Sequence, residues 1–413
     1  MAELYTKYKS LSLGVRILIW MAIGIIGGVI FGEDASVVKP IGDIFIKLLL
    51  MAALPLVFFN LISGITSLSD ISILGRLGLK TIFYYMTTTA VALAVGLSMA
   101  SFFRPGDGMT LTEEVDKSFG QAPGIIDTIV GLFPNNIFAA FSNGNVAQVV
   151  IFAIFLGVTT LMMPSDQKEK LQEIFSLIAD LFRELVKIVL YLGPLGVGSL
   201  AAATVGEYGS GIFGPVANFV FVVWAAQVIM VIFYMVLLAT LSGRNPLKWL
   251  KLTAPLYATT TATTSSLASL VVAMDIAKNK LKLPNSIYSF TLPLGAQINK
   301  DGTSIMLAGI LLFTAQAAGV EFDLASMVSI LFVGLLLSEG SSGIPGGGLV
   351  IAFIFVEAFH LPLEIAAIVA GIYRLVDMGN TTINVMGDLT WTTILSDMEK
   401  REASQDPSSQ TGD

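Results

Sequence analysis

Long apolar runs alternate with short polar stretches along the 413 residues of this chain. A helix crosses a bilayer with ~20 consecutive apolar residues. Runs of about that length or more fall at 13–32, 39–65, 78–103, 146–163, 171–200 and 215–241. The run 171–200 is less uniform, because Asp180, Arg183, Glu184 and Lys187 give it a face that meets protein or water. A seventh span, 284–315, is apolar except at its centre, and a last helix ends near Met398. After Met398 the chain is polar and is expected to be disordered.

Loop charge orients these spans. Lys7, Lys9 and Arg16 precede the first, Arg76 and Lys80 lie between the second and third, and Lys168 and Lys170 precede the fifth. Arg244, Lys248 and Lys251 follow the sixth, and Lys400 and Arg401 follow the last. The alternate loops are acidic, with Asp107, Glu113, Glu114 and Asp116, then Glu207, then Glu321 and Asp323. The positive-inside rule predicts that both termini are cytoplasmic.

Two further segments do not fit a simple crossing. Residues 252–277 have lysines on both flanks (Lys248 and Lys251, then Lys278, Lys280 and Lys282), so the segment is expected to enter and return on one side. Its centre, 259–266, reads TTTATTSS. Residues 325–358 behave alike on the other face: Glu321 and Asp323 precede, Glu357 and His360 close the segment, and the centre reads SEGSSGIPGGG (338–348). Gly and Pro at that density break a helix, and broken backbone at membrane depth is tolerated only against protein or a water-filled cavity. Two such hairpins from opposite faces are an inverted-repeat signature of secondary transporters. The expected fold is an all-α polytopic membrane protein with eight transmembrane helices and two oppositely oriented re-entrant hairpins.

Composition agrees. Hydrophobic residues make up 54% and charged residues 13% of the chain, where soluble proteins carry about 25% charged residues. No cysteine is present, which excludes disulfides, thiolate metal sites and a cysteine nucleophile. There is one histidine and no HExxH-type metal motif, so an intramembrane enzyme is not expected. The net charge of −7 is spread out, with no basic block for nucleic acid. Nothing resembles the ring of like charges or the selectivity filter of a channel.

Ionisable residues inside apolar segments are costly and mark functional sites. In the last third of the chain these are Lys300, Asp301, Glu339, Arg374, Asp377 and Asp388, with a formal sum of −2. Arg374, Asp377, Thr381, Asn384 and Asp388 step by three or four residues and share one helical face. That face can bind an ammonium through a carboxylate and a carboxylate through an amide. Asn299 to Thr303 (NKDGT) add another polar cluster in the middle of 284–315.

These residues carry a resemblance to a known family. NKDGT (299–303) resembles the Asn-Met-Asp-Gly-Thr motif of the dicarboxylate/amino acid:cation symporter family, which includes the glutamate transporters. DMGNTTINVMGD (377–388) resembles the family's Asp-x-x-Arg-Thr-x-x-Asn-x-x-Gly-Asp motif. SSGIPGGG (341–348), TTSSLAS (263–269) and the Tyr-Tyr-x-x-Thr-Thr element (84–89) resemble its two hairpin tips and its third helix, in the family's order and spacing. The resemblance implies a homotrimer in the inner (plasma) membrane, in contact with lipid. Each subunit would have scaffold helices in 1–75 and 146–212 and a mobile transport domain in 76–145 and 213–398, leaving 399–413 as the tail. Transport would be elevator-like, with the second hairpin as outer gate. There would be no organic cofactor, only a coupling cation, Na⁺ or H⁺.

Site residues follow from the same resemblance. Asp377, Thr381 and Asn384 resemble the family's site for the substrate amine and α-carboxylate, together with Thr303, Ser265, Ser266 and the hairpin residues Gly343, Ile344, Pro345 and Gly346. Gly295, Asn299, Asn384 and Asp388 resemble one of its cation sites. Tyr85, Thr88, Thr89, Asn299 and Asp301 resemble another. Carboxylate and carbonyl oxygens suit a hard cation.

Four departures from the pattern matter. Asn380 stands where acidic-substrate members have an arginine that grips the distal carboxylate, a task suited to arginine and not to asparagine. Thr264 stands where many prokaryotic members have an arginine, and Leu267 ends the serine run of the first hairpin. Lys300 replaces the motif methionine, and Glu339 replaces an apolar residue of the second hairpin, so the two are expected to pair at the gate. Asn380 in the substrate site predicts a small neutral amino acid. The alternative is an acidic amino acid or C4-dicarboxylate, with Arg374 reading its side chain from one turn away.

Overall fold

The computed structural model describes residues 8, 11, 13–66, 71–109, 130–131, 133–143, 145–338, 340–341 and 346–405. Almost all of the described chain is helical, and it contains no strand. In lipid only a helix or a closed barrel satisfies every backbone polar group, and this composition follows the first route.

The N-terminal half contains α1 (Leu13–Phe31), α2 (Lys39–Thr66), α3 (Ile71–Phe103), the short α4 (Ile137–Ser142), α5 (Val146–Leu161), α6 (Ser165–Tyr191) and α7 (Gly193–Tyr208). A 3₁₀ segment, Gly32–Val38, joins α1 to α2. The single span expected at 171–200 is in fact two helices, α6 and α7, bent by 51° at Leu192. Pro194 is the cause, since it has no N–H and takes only the first turn of a new helix.

The C-terminal half begins with α8 (Phe213–Leu237), followed by α9 (Pro246–Thr263) and α10 (Ser266–Asp275). Next come α11 (Asn285–Ile298) and α12 (Asp301–Ala317), then α13 (Leu324–Ser338) and α14 (Gly347–Ala358), and last α15 (Leu363–Gln405). The breaks between α9 and α10, α11 and α12, and α13 and α14 fall where the sequence places polar or Gly-rich centres. Among the described residues, the stretch Val15–Thr66 and the helices Leu77–Phe103 and Phe213–Ser242 are long and apolar enough to cross a membrane; the bent α6–α7 pair qualifies if taken as one span.

The break between α9 and α10 is sharper than the threonine-rich centre suggests. Thr259, Thr261 and Thr263 each donate to the carbonyl four residues earlier, at 2.8–3.1 Å, so the β-branched run stays helical to Thr263. Thr264 then takes φ +48°, which ends α9, and the Ser265 hydroxyl caps α10 by accepting from the Ala268 amide at 3.2 Å.

Packing separates two groups of helices. Helices α1, α2, α5, α6 and α7 pack chiefly on one another, and α3 packs on α8 and α12. Helix α15 lies against α7, α8, α9, α11, α12 and α14, with smaller contacts to α1, α3 and α10. At 43 residues it is roughly 65 Å long at 1.5 Å per residue, far more than a bilayer requires. Its end is tied down. Arg401 donates to the carbonyls of Leu241 and Ser242 at 3.0 and 2.6 Å, and Lys80 bridges Glu399 and Glu402 at 3.0 and 3.1 Å. Residues 399–405, expected in the disordered tail, are therefore helical, because their charges find partners on α3 and at the end of α8. Residues 406–413 lie outside the described residues.

Candidate functional site

The site is built around the gap between α11 and α12. The chain leaves helical geometry at Asn299 (φ −84°, ψ 117°) and resumes it at Asp301. A broken helix strands backbone donors and acceptors, and Asn384 of α15 meets them. Its Oδ1 accepts from the Gly302 amide at 2.7 Å, its Nδ2 donates to the Thr303 hydroxyl at 3.3 Å, and its carbonyl accepts from Asn299 Nδ2 at 3.0 Å. The side chain expected to bind substrate or cation is therefore first a splint for the gap.

Asn299 also donates to Asp388 Oδ1 at 2.9 Å, while its own Oδ1 is buried with no partner among the described residues. Gly295 completes this corner. A Cβ there would sit 2.3 Å from Asp388 Oδ1 and 2.7 Å from the Tyr85 hydroxyl, so only glycine lets the carboxylate approach the α11 backbone. An orphaned carbonyl oxygen beside a buried carboxylate is a donor set that fits a hard cation. Gly295, Asn299, Asn384 and Asp388 are thus brought together as expected.

The other expected cation set is brought together in part. Asp301 is fully buried, and its Oδ1 accepts from Thr89 at 2.7 Å and Thr88 at 3.2 Å. Its Oδ2 accepts from the hydroxyl of Tyr234 on α8. The Tyr85 hydroxyl goes elsewhere, donating to the Thr291 carbonyl at 3.0 Å, while the Tyr85 carbonyl accepts from Thr88 at 3.2 Å. Tyr234, absent from the sequence-based set, takes the place at Asp301. Lys300, only 1% exposed, lies within electrostatic reach of both Asp301 and Asp388 and donates to the Ala296 carbonyl at 2.9 Å. Glu339, its expected partner, lies outside the described residues, as do Gly343, Ile344 and Pro345.

Asp377 is buried and accepts from the Tyr373 hydroxyl one turn back at 2.8 Å; the Gly346 amide and the Thr264 hydroxyl also face it. Gly346 has φ +84° and opens α14. Thr264 links Asp377 to Arg374, whose Nη1 donates to the Thr264 hydroxyl and whose Nη2 donates to the Ala262 carbonyl at 2.9 Å. Arg374 thus satisfies the end of α9. It also lines a cavity of about 630 Å³ bounded by Val15 of α1, Tyr257 and Thr261 of α9, and Met378. Thr303, Thr381, Ser265 and Ser266 are buried around this region.

Asn380 is held from behind. Its Oδ1 accepts from Gln227 Nε2 of α8 at 2.9 Å, and its Nδ2 faces Met306 Sδ at 3.3 Å. Sequence reasoning missed Gln227, Tyr234, Tyr373 and Met306. A signal existed for the first two: they are polar side chains seven residues apart, on one face of the largely apolar 213–237.

The arrangement has the chemistry of a small-molecule and cation site inside a helical membrane protein. The family described as the sodium:dicarboxylate symporter family matches residues 13–398. The chain is 30% identical to a proton/sodium-glutamate symport protein of Geobacillus stearothermophilus, over 95% of each chain. It is also 30% identical to a proton/glutamate-aspartate symporter of Bacillus subtilis, over 93% of this chain and 94% of that one. A C4-dicarboxylate transport protein of Anaeromyxobacter is likewise 30% identical, over 92% of this chain and 88% of the relative. None of these names supports the neutral substrate expected from Asn380.

Proposed function

The chain belongs to the sodium:dicarboxylate symporter family of membrane transporters, and from that premise we propose that it carries an acidic amino acid, coupled to Na⁺ or H⁺. The observation that carries the substrate class is the position of Arg374. Its guanidinium sits one hydroxyl group away from Asp377, which would read the substrate amine. A substrate side-chain carboxylate would replace Thr264 and Ala262 as its partner, in the bidentate geometry for which arginine is suited. Asp377 favours an amino acid over a C4-dicarboxylate, because it presents a carboxylate where the dicarboxylate has no cation to offer. The relatives' named substrates, glutamate, aspartate and C4-dicarboxylates, support the acidic class.

In this reading Asn299, Asn384, Asp388 and the Gly295 carbonyl hold one cation, and Asp301 with Thr88 and Thr89 holds another. Lys300 and Glu339 pair at the gate, and the ammonium takes the place of a gate-associated cation. Helices α1, α2 and α5–α7 form the static part of a homotrimer with cytoplasmic termini. Helices α3 and α8–α15 move as an elevator, and the eight crossings and two hairpins of the sequence pattern describe one subunit. A protein mass in detergent other than three times the 43.9 kDa chain removes the trimer.

The test of the function is uptake into proteoliposomes under Na⁺ and proton gradients, with L-aspartate, L-glutamate, succinate and L-serine in competition. L-Aspartate or L-glutamate is expected to win, and Arg374→Ala to weaken it by more than about tenfold while sparing L-serine. Preference for L-serine in the unmodified protein would sink the acidic reading.

A further inference from the structure

Gln227 is an amide in the middle of an apolar helix, buried against α15. Its place is built from both sides. Gly379 on α15 has no side chain where one would collide: a Cβ there would lie 2.0 Å from Gln227 Oε1. Its Nε2 lies 3.5 Å from the Val376 carbonyl and 2.9 Å from Asn380 Oδ1. In this arrangement the Gln227 NH₂ faces two acceptors of α15, Asn380 Oδ1 and, at the limit of hydrogen-bond length, the Val376 carbonyl. Asn380 then turns its carbonyl to Gln227 and its NH₂ away. That NH₂ points toward Met306, a weak acceptor that holds it loosely. Met306 also packs beside Gly348, as do Tyr373 and Thr303, where α12, α14 and α15 meet.

We propose that Gln227 is a specificity-determining positioning residue: it fixes Asn380 as a hydrogen-bond donor toward the substrate side chain, so that the pocket selects a side chain ending in an acceptor oxygen. This rests on the acidic-substrate reading of the same site and deepens it. Asn380 then supplements Arg374 in place of the arginine that its position would otherwise hold. A buried donor committed in one sense rejects a side chain that leaves it unpaired.

The experiment measures the affinities of the purified, full-length protein for L-aspartate and L-alanine in saturating Na⁺, for Gln227→Leu, Gln227→Glu, Asn380→Ala and the two double variants. Gln227→Leu frees Asn380 to rotate, and is expected to lower the aspartate-to-alanine preference roughly tenfold with L-alanine affinity within about twofold. Gln227→Glu offers a carboxylate that draws the Asn380 NH₂ toward itself, and is expected to lower the preference further. In the Asn380→Ala background neither change at position 227 moves the preference. An unchanged preference in both single variants overturns the proposal. So does an equal shift with Asn380 removed, which would mean a direct field effect, or an equal loss of both ligands, which would mean a structural role only. The unmodified protein reports separately on the acidic reading: tighter L-alanine than L-aspartate binding rejects that reading, while the variant cycle still decides how Gln227 acts.

Discussion

Asp377 and Arg374 stand one turn apart on α15, and neither spends its charge on the other as a direct bond. Asp377 takes the Tyr373 hydroxyl, and Arg374 takes the tip of α9. Both charges are therefore available to a zwitterion with an acidic side chain. Asp377→Asn keeps shape and the Tyr373 bond but removes the charge proposed to meet the substrate ammonium. It is expected to weaken amino-acid binding by about thirtyfold or more, about 2 kcal/mol, with thermal stability retained. Binding within a few-fold of the parent in calorimetry would take Asp377 out of the amine site. Lys300 makes a different demand, since a buried lysine is costly without compensation. Lys300→Met alone is expected to impair substrate binding. Lys300→Met with Glu339→Ala should restore it and steepen its Na⁺ dependence. If the double variant binds no better than the single, with the same Na⁺ dependence, the internal-cation idea fails.

Between elements, discontinuity and contact are linked. The α11–α12 break persists because Asn384 and Asn299 reconnect its stranded groups across to α15. The α9–α10 break persists because Arg374 takes the Ala262 carbonyl and Ser265 caps the next helix. Helix α8 reaches the same site through Gln227 and Tyr234. A Cβ on Gly379 would displace the Gln227 amide from Asn380, and Gly379→Ala is expected to destabilise the protein by about 1–3 kcal/mol through crowding and the lost hydrogen bond. Shortening the opposing side chain with Gln227→Ala should recover part of that loss. Equal thermal denaturation midpoints for Gly379→Ala and the parent would show that the helices have space to spare.

For the whole molecule, the elevator reading requires that α13 and α14 slide past α2. In the present arrangement Asn60 of α2 donates to the Gly340 carbonyl at 3.4 Å, and a Cβ at Gly340 would come 2.7 Å from Val57 Cγ1. The chain has no cysteine of its own, so a pair introduced by Val57→Cys and Gly340→Cys reports without background. Oxidation is expected to cross-link these positions and stop uptake, and reduction to restore it. Undiminished uptake by fully cross-linked protein would mean that these surfaces do not move apart during transport.

Hydropathy, helix breaks and the polar face of α15 were legible in the sequence for one reason: each is a local property. Lipid forces apolar runs into helices, Thr264 and the Gly-rich stretch interrupt them, and a 3.6-residue period lines up Asp377, Thr381, Asn384 and Asp388. The carboxylates of the site could be read for the same reason, being costly wherever they lie in an apolar segment. Partners could not be read this way. That Tyr234 and not the Tyr85 hydroxyl meets Asp301 depends on how far α3 and α8 are rotated about their axes. That Asn380 faces Gln227 depends on the close approach of α8 to Gly379. The extension of α15 to Gln405 depends on Lys80, more than 300 residues away. Each helix presents several polar groups around its circumference, and apolar packing over the whole contact surface selects which of them meet. Residue types and their spacing were thus determined by the sequence alone; the pairing of hydrogen-bond donors with acceptors was decided by tertiary packing.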